Sequence, residues 1–249
     1  MKITATHIGT ATALVEAGPL RLLTDPVFDP APATYVHGPI TLRSTGHPAL
    51  TAAELPPVDA VLLSHDEHPD NLDDAGRALL PGKTVLTTVS GAGRLGAGAI
   101  GLAPWQTREL TAHGRTLRIT ATPGRHGPFG DVIGFVLETP GEDGAVYISG
   151  DTVHFPELDE IGRRFTIGTA FLHLGAARLA AFAGDDLITM DGAQGAALAR
   201  SLGARTVVPL HYASWEHFTE DRADITAAFA AEGIADRLHW LTPGRPEVL

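Results

Sequence analysis

The chain contains no cysteine in its 249 residues. That excludes disulfides, thiolate-bound zinc and thiol nucleophiles, and leaves histidine and carboxylate as the strong metal ligands available. Positive charge is also scarce. Eighteen Lys and Arg against 29 Asp and Glu give a net charge of −11. A broad nucleic-acid or anionic-membrane footprint is not expected from such a balance, although a local basic pocket around Arg118, Arg125, Arg163 and Arg164 remains compatible with it. No run of about eighteen apolar residues exists, and Met1-Lys2-Ile3-Thr4-Ala5 lacks the pattern of a signal peptide. The expectation is a cytoplasmic protein with no membrane span. Gly-x-Ser-x-Gly and Gly-x-x-x-x-Gly-Lys are both missing, so neither a serine-hydrolase elbow nor a phosphate-binding loop is present. Ser64-His65-Asp66 cannot serve as a triad, because a triad needs converging side chains and these are neighbours in sequence.

What is present is concentrated in Val61-Leu62-Leu63-Ser64-His65-Asp66-Glu67-His68-Pro69-Asp70-Asn71-Leu72-Asp73-Asp74. An apolar run stops at two histidines and several carboxylates. Imidazole nitrogen and carboxylate oxygen suit a divalent ion such as zinc. A polar turn with solvated histidines is the bland reading of this stretch alone. Three further strand-like runs end the same way. Leu117 to Thr122 runs into a Pro/Gly loop carrying His126, Ala145 to Ser149 leads to Asp151, and Arg205 to Leu210 leads to His211. Singly, each reads more readily as a turn or a core residue. Four such ends in one chain point to a shared site.

In order and rough spacing these motifs resemble the metallo-β-lactamase superfamily, across nearly the whole chain. Gly9-Thr10-Ala11-Thr12 and Asp25-Pro26 are similar to that family's opening hairpin and turn. The nearest likeness is to its lactonase-like branch, which includes L-ascorbate-6-phosphate lactonase and N-acyl-phosphatidylethanolamine phospholipase D. The resemblance implies one domain over residues 1–249 and an α/β (α+β) fold, an αββα sandwich of two mixed β-sheets flanked by helices. It implies a metal-dependent hydrolase with His65, His68 and His126 on one metal, Asp70 and His211 on a second, and Asp151 bridging. Asp70 and Asp151 would be the catalytic carboxylates. Up to two zinc ions are expected, with manganese or iron as alternatives. A metal-bound hydroxide would attack an ester, lactone or phosphodiester in a small-molecule substrate. The sequence says nothing of oligomeric state.

The chain departs from the family pattern at four points, one of them the segment after the Asp151 strand, which holds His173 and Ala176-Ala177 where the family is often Gly/Pro-rich. Two residues separate His65 from His68, where the family has one. Fully extended backbone would place their Cα atoms roughly 10 Å apart at ~3.3 Å per residue, so the chain must turn at Asp66-Glu67. Glu67 is then an alternative ligand, although His68-x-Asp70 keeps the family's register. Asn71 stands where the family has histidine, and Gly9-Thr10-Ala11 stands for Gly-His-Ala. Asn71 is expected as a helix cap or as a partner behind the metal ligands, and the second metal position as the weaker. A non-catalytic or single-metal binding protein that keeps the fold is the competing reading. His154 could face substrate. His173 reads as a buried, hydrogen-bonded histidine, Tyr212 and Trp215 as core or pocket wall, and His217 has no evident role.

Alternation and turn residues predict strands over 2–8, 12–16, 20–24, 58–63, 84–89, 107–121 (a hairpin), 132–139, 145–149, 167–174, 205–210 and 237–241. Helices are predicted over 72–80 (capped by Asp70 or Asn71), 156–164, 190–203 and 222–232. Residues 29–57 read as a long loop, and 91–101 as a small-residue helix or loop.

Overall fold

The computed structural model describes residues 1–37 and 40–249. The first half runs β1 (Thr4–Gly9), β2 (Thr12–Ala17), β3 (Leu20–Thr24), β4 (Ala33–His37), β5 (Ile40–Ser44), β6 (Ala60–Leu62), α1 (Asp74–Leu79), β7 (Thr84–Thr88), α2 (Val89–Leu95) and β8 (Ala99–Leu102). The second half runs β9 (Thr107–Ala112), β10 (Arg115–Pro123), β11 (Ile133–Glu138), β12 (Ala145–Ile148), α3 (Asp159–Arg164), β13 (Ile167–His173), α4 (Ala180–Ala183), α5 (Gly192–Ser201), β14 (Thr206–Leu210), α6 (Arg222–Ala231) and β15 (Glu247–Val248).

Two mixed sheets result. The first has the order β15-β1-β2-β3-β6-β7-β8, and the second β14-β13-β12-β11-β10-β9. In each, an antiparallel part continues into a parallel one: β3-β6-β7-β8 in the first sheet and β12-β13-β14 in the second. Parallel strands need helical crossovers, and strands covered on both faces become continuous apolar runs. Val61-Leu62 and Val207-Val208 are runs of that kind, all with essentially no exposure.

The two sheets face each other across one apolar layer. Ala5, Val15, Leu22 and Leu62 of the first pack with Ile119, Phe135, Ile148, Phe171 and Val208 of the second. On the outer face of the second sheet, Tyr147, Ala170 and Leu172 meet Ala196, Ala199, Ile225 and Phe229 of α5 and α6. The outer face of the first sheet carries Leu14, Leu23 and Val61 against Leu72 and Leu80 around α1. This is the αββα sandwich. It places the C-terminal ends of β6, β12, β13 and β14 on one rim.

Four local expectations change. Residues 29–57 hold a hairpin, β4–β5, because Tyr35, Ile40 and Leu42 find an apolar partner in Trp215 and Val27 outside the main core. The helix after the histidines begins at Asp74. Its cap is Asp73, whose side chain accepts from the Gly76 N–H at 2.7 Å, so neither Asp70 nor Asn71 caps it. Residues 91–101 divide into the end of α2 and the edge strand β8. No strand forms over 237–241. Leu238 makes one isolated bridge to Val207, and the last strand is β15, which pairs with β1.

Candidate metal centre

His65 lies three residues beyond β6, His126 three beyond β10, Asp151 three beyond β12 and His211 directly after β14. Paired strands ending on the same rim bring these residues together from distant parts of the chain. Gly150 makes one approach possible. Its φ is +62°, and a Cβ there would come within 2.7 Å of the Ser64 Cβ. The loop carrying Asp151 can therefore pass against the loop carrying His65. His211 itself has φ +54°, a conformation uncommon for a residue with a side chain. Its N–H donates to the Thr10 carbonyl at 2.8 Å, which ties the second sheet's rim to the first β-turn.

Three imidazole nitrogens converge. His65 Nε2 is 2.9 Å from His68 Nδ1, and His126 Nε2 is 3.0 Å from the same atom. The other ring nitrogens have partners of their own. His126 Nδ1 donates to the Ile188 carbonyl at 2.7 Å, which leaves Nε2 with a lone pair. His65 Nδ1 is 3.0 Å from Ser64 Oγ. Converging lone pairs repel unless a proton or a cation lies among them. Burial, then the neighbouring rings of His68 and His126, hold His65 well below the usual histidine range. His68 is pushed down to about 4 by burial and by His126. Such rings are neutral near pH 7 and open to a cation.

A second group adjoins the first. Asp151 Oδ1 lies 2.7 Å from His173 Nδ1 and 3.4 Å from His211 Nδ1. Asp151 Oδ2 points toward the first group, 4.0 Å from His126 Nε2. Asp70 Oδ2 lies 3.2 Å from His211 Nε2 and 3.0 Å from His217 Nε2. Burial alone would raise both carboxyls. Contacts with His211 and His217 hold Asp70 well below the ordinary range, and the charge of His211 with the His173 hydrogen bond does the same for Asp151. Burial disfavours a charged His211, but Asp151 and Asp70 outweigh it and raise its pKa. This group demands positive charge, while the first group offers lone pairs.

These residues fit a bound divalent cation. Buried atoms with no hydrogen-bond partner include Asp70 Oδ1, Asp151 Oδ2, both ring nitrogens of His211, His173 Nε2 and His217 Nδ1. Buried polar atoms are normally paired, so several orphans at one place suit a shared cation. His65, His68 and His126, and likewise Asp151, His173 and His211, each present donor atoms within 4.8 Å of one another.

His65, His68, Asp70, His126, Asp151 and His211 come together. Glu67 does not join them, because its Oε1 pairs with Arg94 Nη2 at 2.8 Å. Asn71 is buried and its Nδ2 donates to Ser64 Oγ at 3.3 Å, so it supports His65 from behind. His154 Nε2 lies 3.1 Å from Asp159 Oδ1. With Arg125, Gly127, Val153, Arg178 and Gln194 it lines a cavity of about 830 Å³ along the loop that carries His126. Trp215 is buried with the hairpin, and its indole N–H donates to Thr10 Oγ1 at 3.1 Å. His173 and His217 were not expected at the centre. His173 carried a signal as the last residue of a buried strand parallel to that of Asp151. His217 carried none beyond following His211 by six residues.

Comparison with known proteins agrees with this architecture. A family model described as the beta-lactamase superfamily domain matches residues 20–212. The chain therefore belongs to the metallo-β-lactamase superfamily. It is similar to a UPF0173 metal-dependent hydrolase of Pelotomaculum thermopropionicum, 28% identical over 98% of both chains. A second protein of that description, from Pyrobaculum calidifontis, is 28% identical over 95% of both. Among solved structures, an isothiocyanate hydrolase from Delia radicum gut bacteria superposes with a TM-score of 0.81 at 24% identity, covering 99% of this chain and 98% of that one. A possible metal-dependent hydrolase from Veillonella parvula gives 0.80 at 19% identity and full coverage of both chains.

Proposed function

We propose that the protein is a metal-dependent hydrolase whose centre is built by His65, His68, Asp70, His126, Asp151 and His211. One observation carries the reading: imidazole and carboxylate donors from four strand ends converge, with Asp70 Oδ1, Asp151 Oδ2 and both His211 nitrogens buried and unpartnered. Divalent ions held there would lower the pKa of a water toward neutrality and polarise the bond to be broken. Zinc suits the three imidazoles, and manganese or iron suits the more oxygen-rich half.

The chain's own groups do the remaining work. Ile188 and Ser64 orient the rings of His126 and His65. Asp70, kept ionised by His211 and His217, has Oδ1 free to orient the attacking water by accepting a hydrogen bond from it. Phe129 packs on His68 and His126 at 5.0 and 5.7 Å between ring centroids, giving the first group an apolar wall. The cavity along the His126 loop receives the substrate, with Arg125, Arg178 and Gln194 available to oxygen atoms. We place lactones and small esters first as substrates and phosphodiesters second. No helix among the described residues is long and apolar enough to cross a membrane.

The test is hydrolysis of a panel of lactones, aryl esters and bis-aryl phosphodiesters by zinc-, manganese- and iron-loaded protein. Turnover of one class that disappears in Asp151→Ala supports the reading. Full activity in Asp151→Ala, or in thoroughly metal-stripped protein, eliminates it.

A further inference from the structure

Asn71 removes an imidazole from the position after Asp70, and an amide oxygen is a poorer donor to zinc. In this fold its Nδ2 donates to Ser64 Oγ at 3.3 Å, which leaves only the buried, unpartnered Oδ1 as a donor, weaker than an imidazole nitrogen. The second half of the centre would then be short of one strong ligand. His217 stands where that deficit would be felt. Its Nε2 is 3.0 Å from Asp70 Oδ2, the oxygen that also lies 3.2 Å from His211 Nε2. His217 is nearly buried, with 8% of its side chain exposed.

We infer that His217 is a ligand of the second metal position, supplying from the loop after β14 the imidazole that Asn71 does not provide. The inference rests on the proposed metal centre and adds a residue to it.

Three observations support it beyond proximity. First, the spacing suits a shared ion. Ligand atoms placed tetrahedrally at ~2.0–2.1 Å from zinc lie about 3.3 Å apart, and the Asp70-centred spacings are close to that. The same spacing recurs among His65, His68 and His126. Second, Asp70 Oδ2 faces two imidazole nitrogens at once, bonding to His217 Nε2 at 3.0 Å while His211 Nε2 at 3.2 Å has no aligned hydrogen bond, a crowding of donors that a shared cation would relieve. Third, the loop is built to present His217. Ser214 adopts φ +78° and its carbonyl accepts from the Thr45 N–H at 2.7 Å. The Trp215 indole is pinned to Thr10, two residues before β2. These anchors turn the chain back toward Asp70 within six residues of His211, and Phe218 packs against both rings at 4.5 and 4.6 Å. His173 has the weaker claim to this role. Its Nδ1 is engaged by Asp151 Oδ1 at 2.7 Å, so it holds the bridging carboxylate from behind.

The experiment is calorimetric titration of metal-free protein with zinc, with metal content measured after gel filtration, for wild type, His217→Ala and His217→Gln. Gln keeps an N–H able to donate to Asp70 but cannot replace imidazole as a ligand. We expect two equivalents in the wild type, and in both variants a first equivalent unchanged and a second weakened roughly 10–100-fold or more. Wild-type affinity for both equivalents in His217→Gln would overturn the inference while leaving the hydrolase reading intact. Uptake of a single ion by the wild type would do the same. No uptake at all would overturn both. Should the variants fold poorly, ¹⁵N NMR of histidine-labelled wild type decides. The His217 Nε2 resonance should shift with the second equivalent, and an unmoved resonance defeats the inference.

Discussion

His173 Nδ1 lies 2.7 Å from Asp151 Oδ1, and both side chains are fully buried. The pair joins the end of β13 to the loop after β12, two parallel neighbours in the second sheet. Donation by the imidazole N–H occupies one carboxylate oxygen and leaves Oδ2 directed at the histidine group. His173 is stacked on His211 at 5.2 Å, so it also limits the rotation of that ring. It acts as a positioning residue behind the centre. His173→Ala should therefore weaken zinc binding by roughly 10–100-fold with little change in the secondary structure, as seen by calorimetry beside circular dichroism. Unchanged affinity would show that Asp151 needs no such support.

Metal removal should act on both activity and stability. A strong chelator should abolish hydrolysis of a lactone or ester probe, and added zinc or manganese should restore it. Serine-directed covalent inhibitors should have no effect. Because the ligands are gathered only in the folded chain, free metal at a hundred times its dissociation constant should stabilise the protein by about 2.7 kcal/mol. A melting temperature indifferent to metal would contradict this.

The metal-free protein should weaken in mild acid. His68 has its pKa pushed down to about 4 from 6.5 by burial and by His126. A depressed histidine pKa means that the unfolded chain takes up the proton first. Its contribution is therefore fully present above about pH 6.5 and is lost as pH falls toward 4, with a loss on the order of 3 kcal/mol. Urea unfolding of chelated protein at pH 7.5, 6 and 5 measures this, and His68→Asn should flatten the profile. An equally steep profile in His68→Asn would assign the effect elsewhere.

The turn between His65 and His68 depends on Arg94. Its Nη2 lies 2.5 Å from Asp66 Oδ1 and 2.8 Å from Glu67 Oε1, and the Asp66 side chain is only 3% exposed. Arg94→Ala would leave that carboxylate buried without its charge partner, at a cost of about 1–2 kcal/mol, less than for a fully buried pair because Arg94 is itself 43% exposed. Asp66→Asn, which removes the charge, should cost less. Denaturant unfolding of the two variants tests the order, and a milder effect for Arg94→Ala would show that water replaces the guanidinium.

The sequence by itself determined the layers and the rim. Apolar runs long enough for buried strands, each broken by a ligand-capable residue, can be read without coordinates because strand burial and strand termination are local properties. His65, His126, Asp151 and His211 stood out in that way as strand-end candidates, whereas His68 and Asp70 followed from the family register. The hairpin at Tyr35 to Leu42 was not, because its apolar side chains match Trp215, some 175 residues away, and a weak local pattern cannot reveal a distant partner. Asp73 outcompeted Asp70 and Asn71 as a helix cap because its carboxylate reaches both the Gly76 N–H and the backbone of Phe28 and Asp29. Only the tertiary structure could place His217, since its position depends on a loop pinned through Trp215 to Thr10, at the other end of the chain. It likewise decided between Glu67 and His68 at the turn. Arg94, brought in by α2, pairs with one side chain and leaves the other facing His65 and His126, and that choice depends on long-range charge pairing that spacing along the chain does not encode.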